Sequence, residues 1–167
     1  MSYKIGEEQV EADVVAWHKE QDVALVKFRD DERPYPHVAA LSPPDESKNL
    51  HIFTPIYCVG CALLHAPYPT AGQISSVTDE IDNFSYQMTS AAITFGNSGG
   101  AVFLAETGQW VGMPSRVAIQ GWSDVANHMN WFVPAFRVYE WLEHEDYQFL
   151  YDPTFTPEKC AQARDRR

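Results

Sequence analysis

The chain has 167 residues, 45% of them hydrophobic and 21% charged, which suits one ordinary domain or two small barrels sharing an interface and excludes a disordered or fibrous polymer. A formal net charge of −11 argues against nucleic acid or an anionic membrane as partner, because binding phosphates needs clustered Lys and Arg. No apolar run approaches the ~20 residues that span a bilayer, and the first residues lack a signal-peptide stretch, so the sequence as it stands is expected to be cytosolic or delivered by other means.

In chain order, Val10 to Trp17 and Asp22 to Phe28 read as two strands joined by the polar turn His18-Lys19-Glu20-Gln21. Residues 29–49 are rich in Asp, Glu and Pro, with Pro34, Pro36, Pro43 and Pro44. Proline fixes its backbone angle and lacks an amide donor, so this stretch reads as an inter-domain connection rather than a central strand. From His51 on, short apolar runs recur at barrel spacing: Ile52 to Leu63, Gly72 to Ile81, Ser85 to Thr89, Ala101 to Leu104, Trp110 to Val117 and His128 to Val133. Glu106-Thr107-Gly108 is expected to be a hairpin turn, with Gly108 at positive φ. After Pro134, the positions Phe136, Tyr139, Trp141 and Leu142 lie near one face of a short helix. The tail, residues 146–167, carries Tyr147, Phe149, Leu150, Tyr151 and Phe155, which either pack back onto the domain or anchor a partner. The division expected is 1–45, 46–145 and 146–167.

Cys58 and Cys61 stand at C-x-x-C spacing, but no second ligand pair lies at finger spacing and Ile56 to Leu63 reads as a buried strand. Residues i and i+3 of a strand point to opposite faces, so neither a metal nor a disulfide between them is expected. No cofactor is called for.

Phe95-Gly96-Asn97-Ser98-Gly99-Gly100 carries the chemistry. A serine hydroxyl is a weak nucleophile and must sit exposed on a tight turn facing a general base. The same turn should aim two backbone amides at one point, where a carbonyl oxygen becomes negative in the tetrahedral intermediate. Gly96 permits such a turn, bringing its own amide and that of Ser98 together, while Gly99 and Gly100 leave room for substrate backbone.

The stretch Tyr86 to Phe103 resembles the HtrA-like branch of the trypsin-like serine peptidases, which has Asn before the nucleophile, as Asn97 is here. Asp22-Val23-Ala24-Leu25-Val26-Lys27 resembles the segment holding the triad aspartate, and Thr70-Ala71-Gly72-Gln73-Ile74-Ser75-Ser76 the strand entry before the nucleophile hairpin. Trp110 to Ser115 is similar to the strand that pairs with substrate backbone, and Asn130-Trp131-Phe132-Val133-Pro134 to the closing segment before the last helix. The resemblance covers roughly residues 3 to 145. It implies an all-β fold: a chymotrypsin-like double β-barrel with a partial first barrel, a complete second barrel and a C-terminal helix. It further implies Ser98 as nucleophile, Asp22 as orienter of a histidine, the Gly96 and Ser98 amides as oxyanion hole, and the two side chains facing one cleft. By the same resemblance Ala92 is the base of the primary pocket, with Met113 and Phe132 lining it and Ser115 beside the substrate, so a small or medium apolar side chain is expected there.

The pattern breaks at the general base. The family's histidine precedes the aspartate in a segment like T-x-x-H-V, and none of the 21 residues before Asp22 forms one. His18 sits in the expected hairpin turn, His37 in the proline-rich connection, His51 at the first strand of the second barrel, His65 in a loop, and His128 and His144 on a strand and a helix. Two readings stay open. One is a serine endopeptidase, here a fragment or split enzyme whose first barrel is completed by an upstream segment or second chain. The other is a catalytically silent protease-fold module with a structural role in an assembly, viral or phage assemblies included. The partner expected is a peptide or protein substrate.

Overall fold

The computed structural model describes residues 10–29, 35, 37–120 and 124–166. They form two compact units, the described residues up to Val38 and those from Ala39 on. The residues before Val10, which the sequence assigns to a first barrel, lie outside the described residues.

In the first unit β1 (Ala12–His18) and β2 (Val23–Phe28) form an antiparallel hairpin, paired from Ala12↔Phe28 to His18↔Val23 with a bulge between Val14 and Ala16. The turn is Lys19–Asp22, and Asp22 adopts φ 56 with its amide donating to the Lys19 carbonyl at 3.3 Å. Asp22 therefore ends the turn instead of starting the strand, a left-handed position that Asp tolerates better than most residues. Ala16 and Val23 are buried, whereas Val14, Trp17, Val26 and Phe28 stand 59, 70, 50 and 42% exposed.

The second unit is a closed antiparallel barrel in the order β3-β4-β5-β8-β7-β6: β3 (Pro55–Gly60), β4 (Tyr68–Ile81), β5 (Phe84–Thr89), β6 (Ala101–Leu104), β7 (Trp110–Gln120) and β8 (Asp124–Pro134). Pairing of β3 with β6, from Ile56↔Leu104 to Val59↔Ala101, closes it. β3 shows why the sequence folds this way: Ile56, Cys58 and Gly60 alternate inward at period two. Ile56 and Cys58 join Ile74, Ala91, Ile93, Val102, Val111 and Phe132 in the core. Burial pushes the Cys58 thiol up to about 12, while Cys61, just past the strand end, is exposed.

Three segments differ from the sequence expectations. Pro44–Lys48 is a short helix, α1, with proline in its first turn and Asp45 and Glu46 at its positive end. β4 begins at Tyr68, ahead of Gly72: Tyr68 to Gln73 pair with β3 and pairing with β5 begins only at Ile74, so Pro69 lies where the strand has one neighbour. In α2 (Ala135–His144) the buried set is Ala135, Tyr139, Trp141 and Leu142, and Phe136 is half-exposed. The tail packs back. Tyr151 stacks on Tyr139 with centroids 4.5 Å apart, the Arg164 guanidinium lies 4.2 Å from the Tyr147 ring, and α3 (Pro157–Arg164) buries Cys160.

Candidate active site

Ser98 is exposed on the connection between β5 and β6. Hydrogen bonds within the turn fix its shape: the Asn97 amide donates to the Thr94 carbonyl at 3.1 Å and the Gly100 amide to the Asn97 carbonyl at 2.9 Å. Asn97 is 1% exposed, and its Oδ1 accepts the Thr94 amide at 3.4 Å. It packs on β3 because residue 60 is glycine, since a Cβ there would meet Asn97 Nδ2 at 2.8 Å and Cα at 2.9 Å. The nucleophile turn is thereby seated on the barrel wall.

Gly96 has φ +97, and a Cβ on it would come within 2.5 Å of the Cys61 carbonyl oxygen. The Leu63 amide donates to the Phe95 carbonyl at 2.8 Å. In a planar trans peptide N–H and C=O point opposite ways, so this bond turns the Gly96 N–H away from Leu63. Among the described residues neither the Gly96 nor the Ser98 amide donates to any protein acceptor. Both amides are thus unengaged donors next to one exposed hydroxyl in sequence. Leu63 had no signature in the sequence. It lies at φ 51 with Leu64 at φ 65, in a turn that only the fold reveals.

On its other side Ser98 meets β7, where its hydroxyl donates to the Ser115 carbonyl at 3.5 Å and the Gly99 amide to the Pro114 carbonyl at 3.1 Å. β6 pairs with β7 only at Val102↔Gly112 and Phe103↔Trp110, so beyond Gly112 the strand partner of β7 among the described residues is β8 alone. Met113 and Ser115 are half-buried on this stretch. Ala92 is exposed, and its carbonyl accepts the Thr70 hydroxyl at 2.7 Å. Phe132, expected beside the pocket, is fully buried in the core cluster and offers a ligand no surface in this structure. Asn130, which sequence reading left unassigned, is the buried strut here: its Nδ2 donates to the Ala91 carbonyl at 2.9 Å and ties β8 to the approach to the nucleophile.

None of His51, His65, His128 and His144 in the barrel unit hydrogen-bonds to Ser98. Asp22 belongs to the other unit and is exposed. His18 ends β1, and its Nδ1 lies 3.2 Å from the Gln21 amide and 3.3 Å from the Glu20 carboxylate.

A closed six-stranded barrel with a serine on a glycine turn beside a half-paired strand defines the chymotrypsin-like class of serine-protease-type domain. The chain belongs to the trypsin-like peptidase domain family, whose model matches residues 2–113. It is similar in fold to the HtrA-type protease AlgW solved with a decapeptide, at 23% identity over 80% of this chain and 40% of that one, with a TM-score of 0.67. The MamO protease domain from Magnetospirillum magneticum, in its apo form, is similar at 18% identity over 80% of this chain and 68% of that one, with a TM-score of 0.62. The chain spans about two fifths of the length of AlgW. No curated protein matches it.

Proposed function

We propose that this chain is the nucleophile-bearing part of a serine endopeptidase that cleaves peptide bonds through an acyl-enzyme on Ser98. The observation carrying this reading is the exposed Ser98 hydroxyl with the unengaged Gly96 and Ser98 amides next to it in sequence. The Ser98 oxygen attacks the scissile carbonyl, the two amides take the oxyanion, and a histidine takes the hydroxyl proton and returns it to the leaving amine. Asp22 orients that histidine. An extended substrate adds as a strand along β7 beside Ser115, the mode in which a free sheet edge binds peptide. Ala92 and Met113 bound a pocket for a small or medium apolar side chain.

The histidine comes from a further polypeptide segment that completes the first unit. A two-stranded hairpin is marginal in water, and β1 and β2 expose five large apolar side chains. Strands added to this sheet cover that surface, whether from an upstream segment or from a second chain. The competing reading, a silent module kept for assembly, is favoured by His18. A triad histidine donates Nδ1–H to its carboxylate and leaves Nε2 to accept, whereas His18 Nδ1 is occupied within its own turn.

A fluorophosphonate probe separates the readings, with Ser98→Ala as control. The isolated chain is expected to label at a rate near background, because losing one triad member leaves only ~10³–10⁴-fold catalysis over water. Supplying a first-barrel segment that bears a T-x-x-H motif, in cis or in trans, should bring labelling of Ser98. Failure to label with that segment in place supports the silent module. Fast labelling of the isolated chain that survives substitution of every histidine overturns the mechanism.

A further inference from the structure

The C-terminal side of the barrel unit carries a second candidate site. Residues 41–48, α2 and the chain after it enclose two adjoining cavities of about 370 and 230 Å³, neither lined by any residue of the nucleophile turn. Pro44, Tyr151 and Asp152 line both. Pro43 and Pro153 add to the larger, and Phe136 and Phe155 to the smaller. The shared aromatic wall is fixed, since Tyr151 stacks on the buried Tyr139 and its hydroxyl donates to the Tyr139 carbonyl at 3.4 Å.

The rim is acidic. Glu140 is matched by Lys48 at 3.4 Å and Arg137 at 2.8 Å, whereas Glu143 and Asp152 have no cationic partner among the described residues. Asp152 instead accepts the Thr154 amide and hydroxyl at 2.9 and 2.7 Å, which hold its charge in place. Burial, then the charges of Glu143 and Asp152, raise the Tyr151 hydroxyl pKa, which agrees with carboxylates near the shared wall.

Two slots divided by an aromatic wall match a polyproline II strand. That helix turns once every three residues, carries no internal hydrogen bonds, and presents proline rings to one face without the entropy loss of a flexible chain. A charge beside such a strand must be positive to meet this rim. We propose that the groove binds a proline-rich segment of a partner protein with Arg or Lys beside its prolines, the prolines entering the two slots and the cation meeting Glu143 and Asp152.

The test is fluorescence anisotropy of a labelled Pro-Pro-Arg-Pro-Pro-Arg peptide titrated with the full 167-residue chain. Saturable binding that weakens with salt is expected, with the glutamate counterpart of the peptide binding about tenfold more weakly or worse. Glu143→Lys reverses an exposed charge and should weaken the arginine peptide about tenfold, and Phe155→Ala should weaken both peptides. Circular dichroism matching the parent confirms that either variant is folded. The proposal is overturned if the two peptides bind alike or neither saturates. It is equally overturned if both folded variants bind like the parent, or if a second copy of the chain occupies the groove and the peptide does not displace it.

Discussion

Gly96 and Gly99 stand three residues apart at φ +97 and +77, yet their surroundings differ. A methyl group on Gly99 meets nothing within 4 Å, so Gly99→Ala carries only the penalty of a left-handed L-residue, roughly 1–2 kcal/mol. The same methyl on Gly96 meets the Cys61 carbonyl oxygen at 2.5 Å, the Leu63 amide nitrogen at 3.0 Å and the Cys61 carbonyl carbon at 3.3 Å. All three are backbone atoms, which cannot swing aside as a side-chain tip can. Overpacking of this kind adds roughly 1–3 kcal/mol, giving Gly96→Ala a total of about 2–5 kcal/mol. Urea unfolding followed by tryptophan fluorescence measures both, and at a slope of ~1–3 kcal/mol/M the two midpoints should differ by about 0.3 M or more. The larger effect should also break the Leu63 to Phe95 hydrogen bond, so the Gly96 amide resonance should move in Gly96→Ala and stay near its place in Gly99→Ala. Equal destabilisation by the two substitutions would refute the claim that the Cys61–Leu63 turn buttresses the nucleophile turn.

Two further outcomes follow from the cysteines. Iodoacetamide on the native protein should alkylate Cys61 and spare Cys58 and Cys160, which are 0 and 3% exposed; peptide mass mapping that finds Cys58 modified at a similar rate contradicts the burial. The Cys58 thiol stands at about 12 in the fold against an ordinary 9.0, so the folded state holds that proton more tightly. Its contribution is full below pH 9 and lost as pH rises toward 12, and Cys58→Ala should flatten the alkaline limb of a stability–pH curve.

Much of the barrel was legible because its strands alternate: Ala101 to Leu104 falls where the sequence puts it, and Gly108 has the positive φ its turn requires. The family and the all-β fold follow from the glycine turn and the ordered segments around it. Other features were not legible, for physical reasons. Barrel closure depends on β3 meeting β6, a pairing between segments some 45 positions apart that local pattern cannot encode. Helix α3 has a start signal in Thr156 and Pro157, and its low amphipathic contrast left an appended helix and a docking segment as equal readings of the tail. The burial of Phe132 was not legible either, because its place in the closing segment does not encode which way its ring points. The pairing of the Leu63 amide with the Phe95 carbonyl lies in backbone geometry, which no side-chain pattern announces.

The point where the chain enters the barrel unit has a mechanical consequence. The Trp110 amide donates to the Ala40 carbonyl at 2.7 Å, the Ser42 amide to the Trp110 carbonyl at 3.1 Å, and the Tyr139 hydroxyl to the Ser42 carbonyl at 2.7 Å. Tension arriving through residues 35–39 meets these three bonds first, and the short parallel bridge of Leu41 to Trp110 loads them together rather than one by one. The anchor passes such a pull into β7 through Trp110 and into α2 through Tyr139. The nucleophile turn shares that load, because the Ser98 hydroxyl and the Gly99 amide bond to the Ser115 and Pro114 carbonyls of β7, as a needle is deflected by the arm that carries it.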